Sequence, residues 1–178
     1  MLNYDCIGPL RTKLAGLIAS APCVLAAPPT RPYWVTIRAA GLASWVLPSF
    51  QISTGLKVEF ISRDPEQVAK YKVDPLVHGY GTTLGLYDML TNGEALLSYR
   101  YKEMTKEVPI LICHGTADGL TDPKASRDFF DKLPVHDRSY QAYQGFYHEL
   151  HNEPEADRRK VIDHYIEWIR KHLPSSSS

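Results

Sequence analysis

Val108-Pro109-Ile110-Leu111-Ile112-Cys113 is a short, continuous apolar run that breaks at once into His114-Gly115-Thr116-Ala117-Asp118. A run this short, apolar throughout rather than at every second position, predicts a strand buried on both faces, as in a parallel sheet. Parallel neighbours need a crossover, usually a helix. The sequence offers one. Asp122-Pro123 predicts a helix start with a capping carboxylate and proline in the first turn, running to about Leu133. Arg138 to Tyr143 predicts the next strand, and Ile162, Tyr165, Ile166, Ile169 and Leu173 form the apolar stripe of a closing amphipathic helix. Alternating buried strands and helices predict an α/β domain, a parallel sheet with helices on its faces.

Upstream, Leu14-Ala15-Gly16-Leu17-Ile18-Ala19-Ser20 predicts a further strand buried on both faces. Pro28-Pro29-Thr30-Arg31-Pro32 forces an extended passage. Trp34, Val35, Ile37, Leu42, Trp45 and Val46 then lie close to a helical stripe, ended by Pro48. Asp64-Pro65-Glu66 starts a short helix that Val73-Asp74-Pro75 stops. Leu84, Tyr87, Leu90, Leu96 and Leu97 predict more helix up to about Met104. The span from about residue 28 to 100 is too long and too helical for a simple crossover, and is predicted to be an inserted, mainly helical cap. Residues 1–178 thus read as one domain with about three parallel strands. Residues 174–178, Pro-Ser-Ser-Ser-Ser, are predicted to be a disordered tail.

Composition excludes several classes of function. The 20 basic and 20 acidic residues balance, so no electrostatic footprint for nucleic acid exists. Cys6, Cys23 and Cys113 sit in apolar surroundings and read as buried thiols of a reducing compartment. No apolar run approaches a membrane span, and the N-terminus has no signal-peptide pattern. The expectation is a cytoplasmic protein, at most peripheral to membranes or lipid droplets, that needs no cofactor.

Chemistry concentrates in two places. Asp118 follows the carboxyl end of the predicted strand 108–113, where α/β sheets present reactive groups. His148, in Gln144-Gly145-Phe146-Tyr147-His148-Glu149-Leu150-His151, follows the next strand onto a loop at the same edge. An acid and then a histidine are what a serine hydrolase requires: a base for the nucleophile's proton, and a carboxylate to fix its tautomer. Each residue alone has a simpler reading, as a turn cap or a surface histidine. Strand, loop and order together favour the pair.

Neighbouring groups read differently. His114-Gly115 predicts a tight strand exit and Asp122 a helix cap. His148 and His151 are three apart rather than four, with no third ligand, so no metal site is predicted. No nucleophile is found. Gln51-Ile52-Ser53-Thr54-Gly55 has glutamine where a G-x-S-x-G elbow needs glycine, and Ser20 lacks flanking glycines.

These stretches, Val108 to Asp118 and Tyr143 to Glu153, resemble the monoacylglycerol lipase and lysophospholipase (serine aminopeptidase-like) branch of the α/β-hydrolases. Leu14 to Pro22 resembles that branch's sixth strand, and Asp74-Pro75-Leu76 a cap element. The resemblance covers the family's C-terminal part. It implies the C-terminal part of an α/β-hydrolase fold, with Asp118 as triad acid and His148 as base. It also implies a lipid monoester substrate in the complete enzyme, with Trp34, Trp45 and Phe50 in an apolar cap that receives an acyl chain and touches membranes transiently. Packing between cap helices is the competing reading for those aromatics. The nucleophile elbow and oxyanion hole are expected upstream of Met1. The chain alone is then expected to be inactive and marginally stable, because the strand 14–20 would lack a partner on one side. A non-catalytic lipid- or partner-binding fragment is the alternative. A fluorophosphonate probe should leave the 178-residue chain unlabelled; stoichiometric labelling of any serine would show that a nucleophile was overlooked.

Overall fold

The computed structural model describes residues 1–173, so the predicted tail lies outside the described residues. Helix α1 (Leu2–Ile7) buries Leu2, Asp5 and Cys6. Strand β1 (Leu17–Ser20) follows, and then α2 (Trp34–Val46), β2 (Gln51–Ser53), α3 (Pro65–Val73), β3 (Tyr80–Thr82) and α4 (Thr83–Ser98). The second half runs β4 (Ile110–Gly115), α5 (Pro123–Lys132), β5 (Arg138–Tyr143) and α6 (Glu155–His172). Among the described residues the main sheet has the order β1-β4-β5, both pairings parallel, and β2 with β3 forms a separate antiparallel ribbon.

The local signals explain most of these elements. Asp64 and Asp122 each accept a bond from the backbone N–H two residues on, at 2.9 Å, with proline in the first turn of α3 and α5. Every residue of β4 is buried. Ile110 and Ile112 face one core with Val24, Leu96 and Phe129, while Leu111 and Cys113 face the other with Leu150, Val161 and Trp168. The strand is therefore sandwiched, which is why its sequence is apolar without alternation.

Three expectations need correction. β1 starts at Leu17 rather than Leu14, because Lys13 N–H and Leu14 N–H are spent on turn bonds to Leu10 and Arg11. β4 continues through His114 and Gly115, which pair with Ala142 and Tyr143, so this dipeptide is strand rather than strand exit. α6 also presents a different face. Val161 and Trp168 are buried and Tyr165 packs against them, whereas Ile162, Ile166 and Ile169 are 40–42% exposed and Leu173 is 57% exposed. The helical period was right, but the inward face starts one residue earlier, a rotation of about 100°. Trp168 stacks on His172, and Tyr165 donates to Ser20 Oγ at 2.9 Å, which ties that face to β1. Ile169 and Leu173 border a groove of about 230 Å³ that Ala15, Gly16 and Ile18 also line.

Gly93 fixes how α4 meets the loop after β1. A Cβ there would lie 2.6 Å from the carbonyl oxygens of both Cys23 and Val24. In an isolated helix Gly→Ala is favourable by about 1 kcal/mol. Here the clash is with backbone, and overpacking of that kind costs about 1–3 kcal/mol. Gly93→Ala should therefore destabilise the chain, lowering the urea midpoint and Tm. An unchanged or higher midpoint would show that α4 slides freely over this loop.

Candidate active site

Asp118 lies three residues beyond the end of β4, and its side chain has no exposed surface. Its Oδ1 accepts from Leu120 N–H at 2.8 Å and Thr121 N–H at 3.0 Å. Its Oδ2 accepts from the Thr121 hydroxyl at 2.8 Å, His148 Nδ1 at 2.8 Å and His114 Nε2 at 3.1 Å. An ionised carboxylate only accepts, so each imidazole nitrogen facing it carries a hydrogen. Burial alone pushes the Asp118 carboxyl up. The bonds from His114 and His148, the charge on His148 and the Thr121 N–H outweigh it, holding the group well below the usual carboxylate range.

With Nδ1–H committed to Asp118, the neutral His148 ring has its lone pair on Nε2, which has no protein partner among the described residues. The side chain remains 27% exposed, so a base is open on one side and fixed on the other. The loop that carries it is clamped by its backbone. His148 N–H donates to Phe60 O at 3.2 Å, and Glu149 N–H to Ile61 O at 2.8 Å. Below it, the fully buried Glu153 accepts from Tyr147 N–H at 2.5 Å and from Arg63 Nε at 2.7 Å. Arg63 also reaches Asp157 at 2.6 Å and lies over the Phe146 ring at 4.4 Å. Gly115 permits the close approach, since a Cβ there would stand 2.3 Å from Phe146 O and 2.4 Å from Tyr147 O.

The structure brings Asp118 and His148 together, 30 positions apart in sequence. Asp122 is a helix cap and pairs with Arg31 at 2.8 Å. His151 is exposed in a short 3-10 turn, and Ser53 lies on the β2–β3 ribbon. Ser20 Oγ is occupied by Tyr165. Trp34, 73% exposed, lines a cavity of about 420 Å³ with Cys23, Val24, Ile37 and Leu90. Trp45 (87% exposed) and Phe50 (58% exposed) lie on the surface and do not line that cavity.

Sequence reasoning missed His114, Thr121, Arg63 and Glu153. One signal was available for His114. It follows Ile110 and Ile112 at period two, a polar side chain on a core-facing row, and such a group needs a buried partner.

Because the folded Asp118 value is depressed, its stabilisation is present above the unfolded value of about 3.9 and is lost as pH falls below it. The urea midpoint should therefore drop with acidification below about pH 4. In Asp118→Asn the drop should be shallower, and an identical slope in both proteins would remove Asp118 from this role.

The sequence profile of the family described as serine aminopeptidase, S33 matches residues 7–155. A putative monoglyceride lipase of Schizosaccharomyces pombe is 33% identical over 177 residues, covering 99% of this chain and 46% of that protein. The monoglyceride lipase of Saccharomyces cerevisiae is 30% identical, covering 99% of this chain and 58% of that one. The crystal structure of a soluble variant of the Saccharomyces cerevisiae enzyme with a substrate analogue superposes with a TM-score of 0.88 at 29% identity, over 98% of this chain and 59% of that one. The sheet and helices described above are thus part of an α/β-hydrolase fold. The chain spans about half the length of the curated relatives it matches.

Proposed function

From the premise that this chain belongs to the serine aminopeptidase S33 family of hydrolases, we propose that it carries the acid and base of a serine ester hydrolase that cleaves monoacylglycerols or related lipid monoesters. The observation that carries the reading is the 2.8 Å bond between His148 Nδ1 and Asp118 Oδ2, buried on the Asp118 side and open on the His148 side. In the reaction, His148 Nε2 takes the proton of a serine hydroxyl as that oxygen attacks the ester carbonyl. The proton then passes to the departing alcohol. Asp118 holds the tautomer and faces the imidazolium while it exists. The serine and the donors of the oxyanion hole are supplied, in this reading, by sequence outside the 178 residues.

Residues 28–100 act as the cap over that site. α2 carries one charged residue, Arg38, and exposes Trp34, Leu42, Trp45 and Val46, with Phe50 just beyond it. This apolar outer surface suits an acyl chain or the surface of a lipid assembly, and it supports transient membrane contact through the cap. No helix among the described residues is long and apolar enough to cross a membrane. A protein that only binds lipid would have the same outer surface but no need for the Asp118–His148 pair.

The test is monoacylglycerol hydrolysis by a product in which the codons upstream of Met1 are restored and encode a G-x-S-x-G. Such a protein should turn over substrate and take up a fluorophosphonate. His148→Ala should then reduce turnover by roughly 10⁶-fold, and Asp118→Asn by about 10⁴-fold. Turnover that survives His148→Ala within tenfold would place the base elsewhere. Stop codons directly upstream, with lipid binding by the short chain, would favour the binding-only reading.

A further inference from the structure

His114 is the group in this site whose chemistry remains unused. Its side chain is completely buried, in the last turn of the β4 ladder, on the row that begins with Ile110 and Ile112. Nε2 lies 3.1 Å from Asp118 Oδ2 and 3.3 Å from Thr121 Oγ. Nδ1 is buried with no hydrogen-bond partner among the described residues. That asymmetry fixes the tautomer. A hydrogen on Nδ1 would be a buried donor with nothing to accept it, while Nε2 would turn a lone pair toward a carboxylate. The hydrogen therefore sits on Nε2, and the lone pair sits on the buried Nδ1.

An aliphatic side chain would fill this core position without leaving a buried nitrogen unsatisfied. What the imidazole adds is one bond, to the same Asp118 oxygen that receives His148. The two rings and the Thr121 hydroxyl converge on Oδ2, and two backbone N–H groups hold Oδ1. His114 is anchored by β4, paired with β5 at Ala142, whereas His148 rides on a loop. We infer that His114 is a positioning residue, a strand-mounted Nε2–H donor that stops the Asp118 carboxylate from turning away from His148. This deepens the reading of Asp118 and His148 as acid and base and rests on it.

The test uses the product with the upstream codons restored, with the histidine rings observed by nitrogen-15 NMR and backbone amide dispersion reporting the fold. In the wild type, His114 should be the Nε2–H tautomer and His148 the Nδ1–H tautomer, with the His148 ring proton protected from solvent exchange. His114→Leu should keep the fold but exchange that proton roughly fivefold to tenfold faster, the scale of one net hydrogen bond. His114→Gln, whose side-chain amide can donate from a similar place, should restore protection. Exchange in a folded His114→Leu protein equal to wild type would overturn the inference. So would a wild-type His114 protonated on Nδ1, a measurement that needs no variant to fold. Asp118→Asn separates the two readings. Loss of the protected His148 proton there upholds the acid–base pair whatever His114 does, and persistence of that proton counts against the pair itself.

Discussion

A carboxylate with no exposed surface is stable only if every lone pair has a donor, and Asp118 meets that condition with five. Those donors come from separate parts of the chain: β4, the 118–121 turn and the loop after β5. Each must be in register before the others can form, so the site and the parallel β4–β5 pairing are one cooperative structure. The same saturation holds Asp118 in its charged form despite burial. Only the charged form presents acceptors alone to His148, which puts the hydrogen on Nδ1.

A second buried carboxylate shapes the other side of the loop. Glu153 joins Tyr147 N–H to Arg63, and Arg63 reaches on to Asp157 at the start of α6 and to the face of Phe146. Breaking one partner of such a group costs more than the pair contributes, because the survivor stays desolvated. Arg63 keeps some solvent contact, and Glu153 keeps none. The geometry around His148 therefore depends on an arginine from the middle of the chain as much as on the strand that precedes the histidine.

Elements whose determinants are local were legible in the sequence. Asp-Pro pairs set the starts of α3 and α5, and a continuous apolar run marked β4. Asp118 and His148 were legible because strand ends bring them to one sheet edge. The inward face of α6 was not, since Trp168 and Val161 compete with an isoleucine stripe of similar hydrophobicity, and only the groove against β1 and β4 decides between them. Nor were Arg63 and Glu153, whose contact spans 90 positions and leaves no periodic trace. His114 looked like punctuation because a glycine follows it. That glycine serves the approach of the 146–147 carbonyls instead.

The stitching of Phe60 and Ile61 to His148 and Glu149 divides the region between β1 and β4 into spans of unequal freedom. Ala27 N–H is bound to Leu120 O, and α4 is seated by Gly93 on the loop after β1, so the region is fastened at its beginning, its midpoint and near its end. A segment pinned in this manner cannot swing as a single leaf. α2 and β2 lie between the first two fastenings, and α3 and β3 between the last two. His148 can then keep its place while those stretches shift.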